Sequence, residues 1–115
     1  TMTNWMTLPH ESLRAYQAAR ELLMLVRGAD ISNPRLRDQA LNAASSACLN
    51  IAEATGRTGS ADRKRVFAIA RGEVCEAAAA FDVAVAGALC KAEVAGEGAV
   101  VARKAYALLS GLIRA

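Results

Sequence analysis

Aromatic side chains are almost missing from this chain. Trp5, Tyr16, Phe67, Phe81 and Tyr106 are the only ones in 115 residues. A core without large rings must be built from small side chains, so its backbones have to come close together. Histidine occurs once, as His10, and no metal-ligand spacing or nucleophile elbow surrounds it. There is no Glu-x-x-His pair of the kind that di-iron bundles use, and no G-x-x-x-x-G-K phosphate loop. These absences lead us to expect a protein that is not an enzyme and carries no cofactor or metal. The three cysteines, Cys48, Cys75 and Cys90, form no C-x-x-C pair. An odd number of thiols on apolar helical positions suits reduced, buried cysteines in a cytoplasmic protein. No uncharged apolar run approaches the ~20 residues of a membrane span, and no signal-peptide pattern opens the chain. The expectation is therefore a cytoplasmic location and no membrane partner. Thr1 ahead of Met2 reads as the scar of a removed tag, and residues 1–8 as an apolar arm or such a scar.

Alanine is what the chain has in quantity: 27 residues, within an apolar share of 54%. Alanine is the best helix former. It also leaves more apolar surface than four short helices can hide, and surplus patches mark interfaces. We expect a homo-oligomer on that ground. The net charge is +3, only weakly basic. Its distribution is uneven. From Gly56 to Arg71 five cations (Arg57, Arg63, Lys64, Arg65, Arg71) face a single acid, Asp62. A local surplus of that kind points to an anionic partner.

The pattern predicts one all-α domain, an antiparallel up-down-up-down four-helix bundle over residues 9–115. The first helix is expected from Pro9 to Val26, with Leu13, Tyr16, Ala19, Leu23 and Val26 on its apolar stripe. Asn33 and Pro34 read as the cap and first position of the second helix. Its seam is Ala40, Ala44, Ala47, Ile51 and Ala54, and it stops near Gly56. Ser60 is expected to cap a third helix that runs to about Lys91, with Val66, Phe67, Ala70, Val74, Ala77, Ala78, Phe81, Val85 and Ala88 facing inward. Gly72 in its middle is expected to mark a close helix crossing. Ala95-Gly96-Glu97-Gly98 reads as the last loop, before a fourth helix from Ala99 to Ile113. Connections this short make sequential helices antiparallel neighbours.

Certain residues carry a more specific signal. Leu13-Arg14-Ala15-Tyr16-Gln17-Ala18-Ala19 is followed by Gln39, by Ala43-Ala44, by Ser46, and by Asn50-Ile51-Ala52-Glu53 with Gly56-Arg57. Ile69-Ala70-Arg71-Gly72 and Glu76 complete the set. In these positions the chain resembles the 23S rRNA intervening-sequence proteins. The same fold includes the accessory variability protein of diversity-generating retroelements. Two positions depart from the pattern: Ala54 stands where members usually have Gly, and Glu73 where many have Ser. The resemblance implies a four-helix bundle that assembles as a homopentameric ring. It also implies RNA or DNA as a candidate partner, or an enzyme that processes nucleic acid, such as a reverse transcriptase.

Two candidate sites follow. Arg57, Lys64, Arg65 and Arg71 form the candidate nucleic-acid surface, with Lys64 and Arg71 on one helical stripe. Asn50, Glu53, Arg57, Arg71 and Glu76 form a candidate polar network that pins the second helix to the third. Between helices such groups must be satisfied, which selects one register. Arg63-Lys64-Arg65 places positive charge at a helix N-terminus, against the macrodipole, and a bound phosphate would offset that. The competing reading is a structural or adaptor homo-oligomer with no affinity for nucleic acid and a merely solvated basic run.

Overall fold

The computed structural model describes residues 7–115; Trp5 and Met6 of the apolar arm lie outside the described residues. Four helices follow one another: α1 (Arg14–Gly28), α2 (Pro34–Gly56), α3 (Ser60–Ala86) and α4 (Ala92–Arg114). No strand occurs among the described residues. Each helix packs on its neighbours in a cycle, most extensively α2 on α3, while the diagonal pair α1 and α3 barely touch. Pairings along the α3/α4 seam run in opposite senses: Ser60 lies near Ala115, Arg71 reaches Ser110, and Asp82 shares a cleft with Ala99. These two helices are therefore antiparallel. At 1.5 Å per residue the 27 residues of α3 extend about 40 Å.

Local chemistry explains most helix ends. The Asn33 carboxamide oxygen accepts the Leu36 N–H at 2.9 Å, and Pro34 follows at the first helical position, as expected. The start of α3 differs from expectation, because Gly59 is the N-cap, no side chain caps it, and Ser60 is already helical. The first helix begins at Arg14 rather than Pro9. Residues 8–13 instead form hydrogen-bonded turns: Glu11 N–H to the Leu8 carbonyl, Leu13 N–H to the His10 carbonyl, and Leu8 N–H to the Glu11 carboxylate. His10 packs edge-on against Tyr16 with ring centroids 4.6 Å apart.

The largest correction concerns the last connection. The third helix stops at Ala86, and Gly96 and Gly98 lie inside α4. Ala88 takes a left-handed conformation (φ 56°), so that the Leu89 N–H reaches the Ala84 carbonyl and the Ala88 N–H reaches the Val85 carbonyl. That is the Schellman stop, usually built on glycine. With alanine at its left-handed position it escaped sequence reading. Gly98 has a packing role instead. A Cβ there would lie 2.4 Å from the buried Phe81 ring, so the bare backbone is the seat for that ring.

The core is largely methyl groups. Of the 26 buried apolar residues described, 15 are alanine, so helices approach closely and few large side chains fill the centre. The whole expected α2 seam is buried. On α1 the buried stripe is Ala15, Ala18, Ala19, Leu22 and Val26; Leu13, Tyr16 and Leu23 sit at its edge. Of the expected inner face of α3, Val85 and Ala88 are exposed because the helix has ended or is ending there. Gly72 faces outward, where a methyl group would have nothing within 4 Å, so it marks no close crossing inside this chain. The cysteines divide: Cys48 is buried, Cys90 half-buried and Cys75 exposed, which corrects the expectation of three buried thiols.

Candidate nucleic-acid interface

The basic run lies where α2 turns into α3, and three of its arginines are already engaged. Arg57 ends α2 and pairs with Glu53, one turn back, and with Asp62 at 3.2 Å across the turn. Arg65 donates two bonds to the other Asp62 oxygen, at 3.1 and 2.9 Å. Arg63 donates to the Arg57 carbonyl at 3.1 Å, capping the end of α2. The bonds from Arg65, with the charge of Arg57 behind them, hold the Asp62 carboxyl below its ordinary range. Glu53 in turn pushes the Arg57 guanidinium above its own. The result is a surface chain, Glu53–Arg57–Asp62–Arg65, that ties the two helices at their junction. It answers the macrodipole problem internally, since Asp62 sits in the first turn of α3. Lys64 makes no ion pair among the described residues.

The candidate polar network therefore holds only in part. Glu53 and Arg57 join as expected. Asn50 donates instead to the Ser46 carbonyl and hydroxyl within its own helix, at 2.9 and 3.1 Å. Glu76 is exposed. Arg71 turns away from α2 altogether, because its position on α3 faces α4. There it donates to the Ser110 hydroxyl at 3.0 Å and lies 5.1 Å from the centre of the Tyr106 ring. Ser110 is the buried polar residue of the described core, 7% exposed, so the arginine satisfies a group that would otherwise weaken the seam.

Around Arg71 the structure assembles a second surface that sequence reading did not single out. A cleft of ≈ 180 Å³ opens between α3 and α4, bordered by Cys75, Ala78, Asp82, Arg103 and Tyr106 among others. A second depression toward the α2–α3 turn is bordered by Arg63, Lys64, Phe67 and Leu112. Arg103, Tyr106 and Ser110 are spaced three and four apart on α4, which puts them on one face. That spacing was the available signal. It was masked by the apolar stripe beside it. No cluster of groups able to hold a metal ion occurs among the described residues, and no helix among them is long and apolar enough to cross a membrane.

The matching residues quoted from the sequence thus fall on or directly beside α1, α2 and the first two thirds of α3, with Arg71 joining α3 to α4. Over residues 11–111 the chain matches the family model described as 23S rRNA-intervening sequence protein. The chain belongs to that family. No curated protein matches it. Within this family member, the departures from the usual pattern are placed without strain. Ala54 is fully buried inside α2, which continues to Gly56. Glu73 is half-buried on α3, with no ion pair among the described residues.

Proposed function

We propose that this chain is a non-enzymatic, self-assembling helical module that binds nucleic acid through the basic side of α3. One observation carries the reading: Lys64 and Arg71, on one stripe of that helix, have no carboxylate partner. Cations left unneutralised along a helix suit a phosphate backbone. Of the expected binding residues, Arg57 and Arg65 contribute less charge, because Glu53 and Asp62 already face them. Assembly is supported by Leu49, Val100 and Met24, which stand 71%, 67% and 63% exposed on α2, α4 and α1. By likeness to the family the assembly is a ring of five, which would repeat the basic stripe around it. RNA, DNA or a nucleic-acid enzyme such as a reverse transcriptase is the partner this reading implies, in the cytoplasm.

The neutralised arginines favour a second reading, an adaptor oligomer with no affinity for nucleic acid. A salt series separates the two. Protein of known native mass, from light scattering, is titrated against mixed RNA and DNA at ~50 mM and then ~200 mM salt. Binding that weakens by orders of magnitude across the series supports the first reading. Absence of binding at the lower salt rejects it and leaves the adaptor.

A further inference from the structure

We infer that the groove between α3 and α4 takes single-stranded nucleic acid, with a base stacked on Tyr106 and the phosphates following Lys64, Arg71 and Arg103. The inference rests on the nucleic-acid reading above and gives it a site and a substrate form.

Tyr106 is the exposed aromatic ring among the described residues, at 44%, while Phe67 and Phe81 are buried. A large ring left half-open needs a reason, since this molecule has so few of them. Its position is fixed from one side: the Arg71 guanidinium lies 5.1 Å from the ring centre and is itself tethered to Ser110. Cation and ring hold each other in place. The open part of the ring borders the cleft, and Arg103 borders it too.

The charge of the groove matches the proposed occupant. Arg103 borders the cleft, Lys64 borders the depression toward the α2–α3 turn, and Arg71 stands between them against Tyr106 and Ser110; none of the three has a carboxylate in ion-pair range. Lys64 and Arg71 are two turns apart, about 10 Å along the helix. Asp82 is the acid at the far end of the cleft, and it has no ion pair either. The surface is thus basic from the α2–α3 turn as far as Arg103. Cations tracking a backbone beside an aromatic platform are what sequence-tolerant single-strand binding requires. In a duplex the bases are stacked on one another and leave no face for the ring, so the geometry selects single strands.

The test is fluorescence anisotropy of labelled single-stranded RNA and DNA against this chain in its native assembly state, with duplex and poly-glutamate as competitors. Tyr106→Ala is expected to weaken single-strand binding by roughly 5- to 150-fold, the range for loss of one base stack. Tyr106→Phe keeps the ring and is expected to bind as the parent does. Arg103→Ala is expected to lower the slope of log affinity against log salt by about 0.7, one single-strand phosphate contact, whereas Tyr106→Ala leaves that slope unchanged. Circular dichroism and light scattering check that each variant keeps its helices and assembly. Parent-like binding by folded Tyr106→Ala overturns the inference while leaving the nucleic-acid reading in place, most plainly when Lys64→Glu alone abolishes binding. Duplex or poly-glutamate competing as well as single strands also overturns it, since both supply charge without a free base. No binding by the parent chain at low salt overturns this inference and the functional reading together.

Discussion

Adding one methyl group at Gly98 and one at Gly72 separates two meanings of a helical glycine. At Gly98 the new carbon would press on the Phe81 ring, which is buried and cannot swing out. Overpacking of that kind costs about 1–3 kcal/mol, against a helix-propensity gain of ~1 kcal/mol. Gly98→Ala is expected to lower the denaturation midpoint, and to do so less in a Phe81→Leu background, where the pair is relieved together. At Gly72 the same change meets open space. There it is expected to raise stability by about 0.5–1 kcal/mol through propensity alone. Urea titrations of the two variants at one protein concentration check both signs. The thiols differ in the same residue-by-residue way. Burial pushes the Cys48 thiol up, so it stays protonated and shielded. Cys75 stands exposed. An aromatic disulfide reagent is expected to modify Cys75 first and Cys48 only on unfolding. Cys75→Ser removes the fast phase if that order holds.

At the scale of the element, the energetics of the α2–α3 hairpin follow pH through Asp62. Asp62 has a lowered carboxyl because Arg65, and then Arg57, favour its charged form. The folded state therefore binds fewer protons here than the unfolded chain does. The stabilisation is complete above the ordinary carboxylate value of about 3.9, and it is lost as pH falls through the lower folded value. Asp62→Asn is expected to flatten the stability profile below about pH 4, measured as urea midpoints against pH. A profile that keeps its full acid slope in the variant would assign that slope to other carboxylates. This hairpin was also the most legible element in the sequence. Asn33-Pro34 and the α2 seam are local signals, and so was the Glu53–Arg57 spacing. What escaped reading was decided by partners distant in sequence. Arg71 sits on the turn that meets α4, so it bonds Ser110, 39 residues away, rather than the α2 network. The α4 start was misplaced because glycine was read as a breaker at Gly96-Gly98, whereas the true break uses Ala88. On α1 the larger Leu13, Tyr16 and Leu23 masked Ala15, Ala18 and Leu22, which complete the buried stripe with Ala19 and Val26.

For the whole molecule, fold and surface obey different rules of legibility. Helix number and order follow from periodicity, which any single chain displays. Which cations stay free follows from three-dimensional pairing, and that moved the basic surface from the α2–α3 turn toward α4. The alanine core has a further consequence, for the heat capacity. Methyl-sized side chains bury little apolar area each, and the heat-capacity change of unfolding grows with the apolar area exposed. An ordinary chain of this length would show about 1.4–1.7 kcal/mol/K at 12–15 cal/mol/K per residue. Calorimetry of this protein is expected to fall below that range. A small heat-capacity change flattens the curve of stability against temperature, so the bundle loses little stability on cooling and its tolerance to temperature is broad.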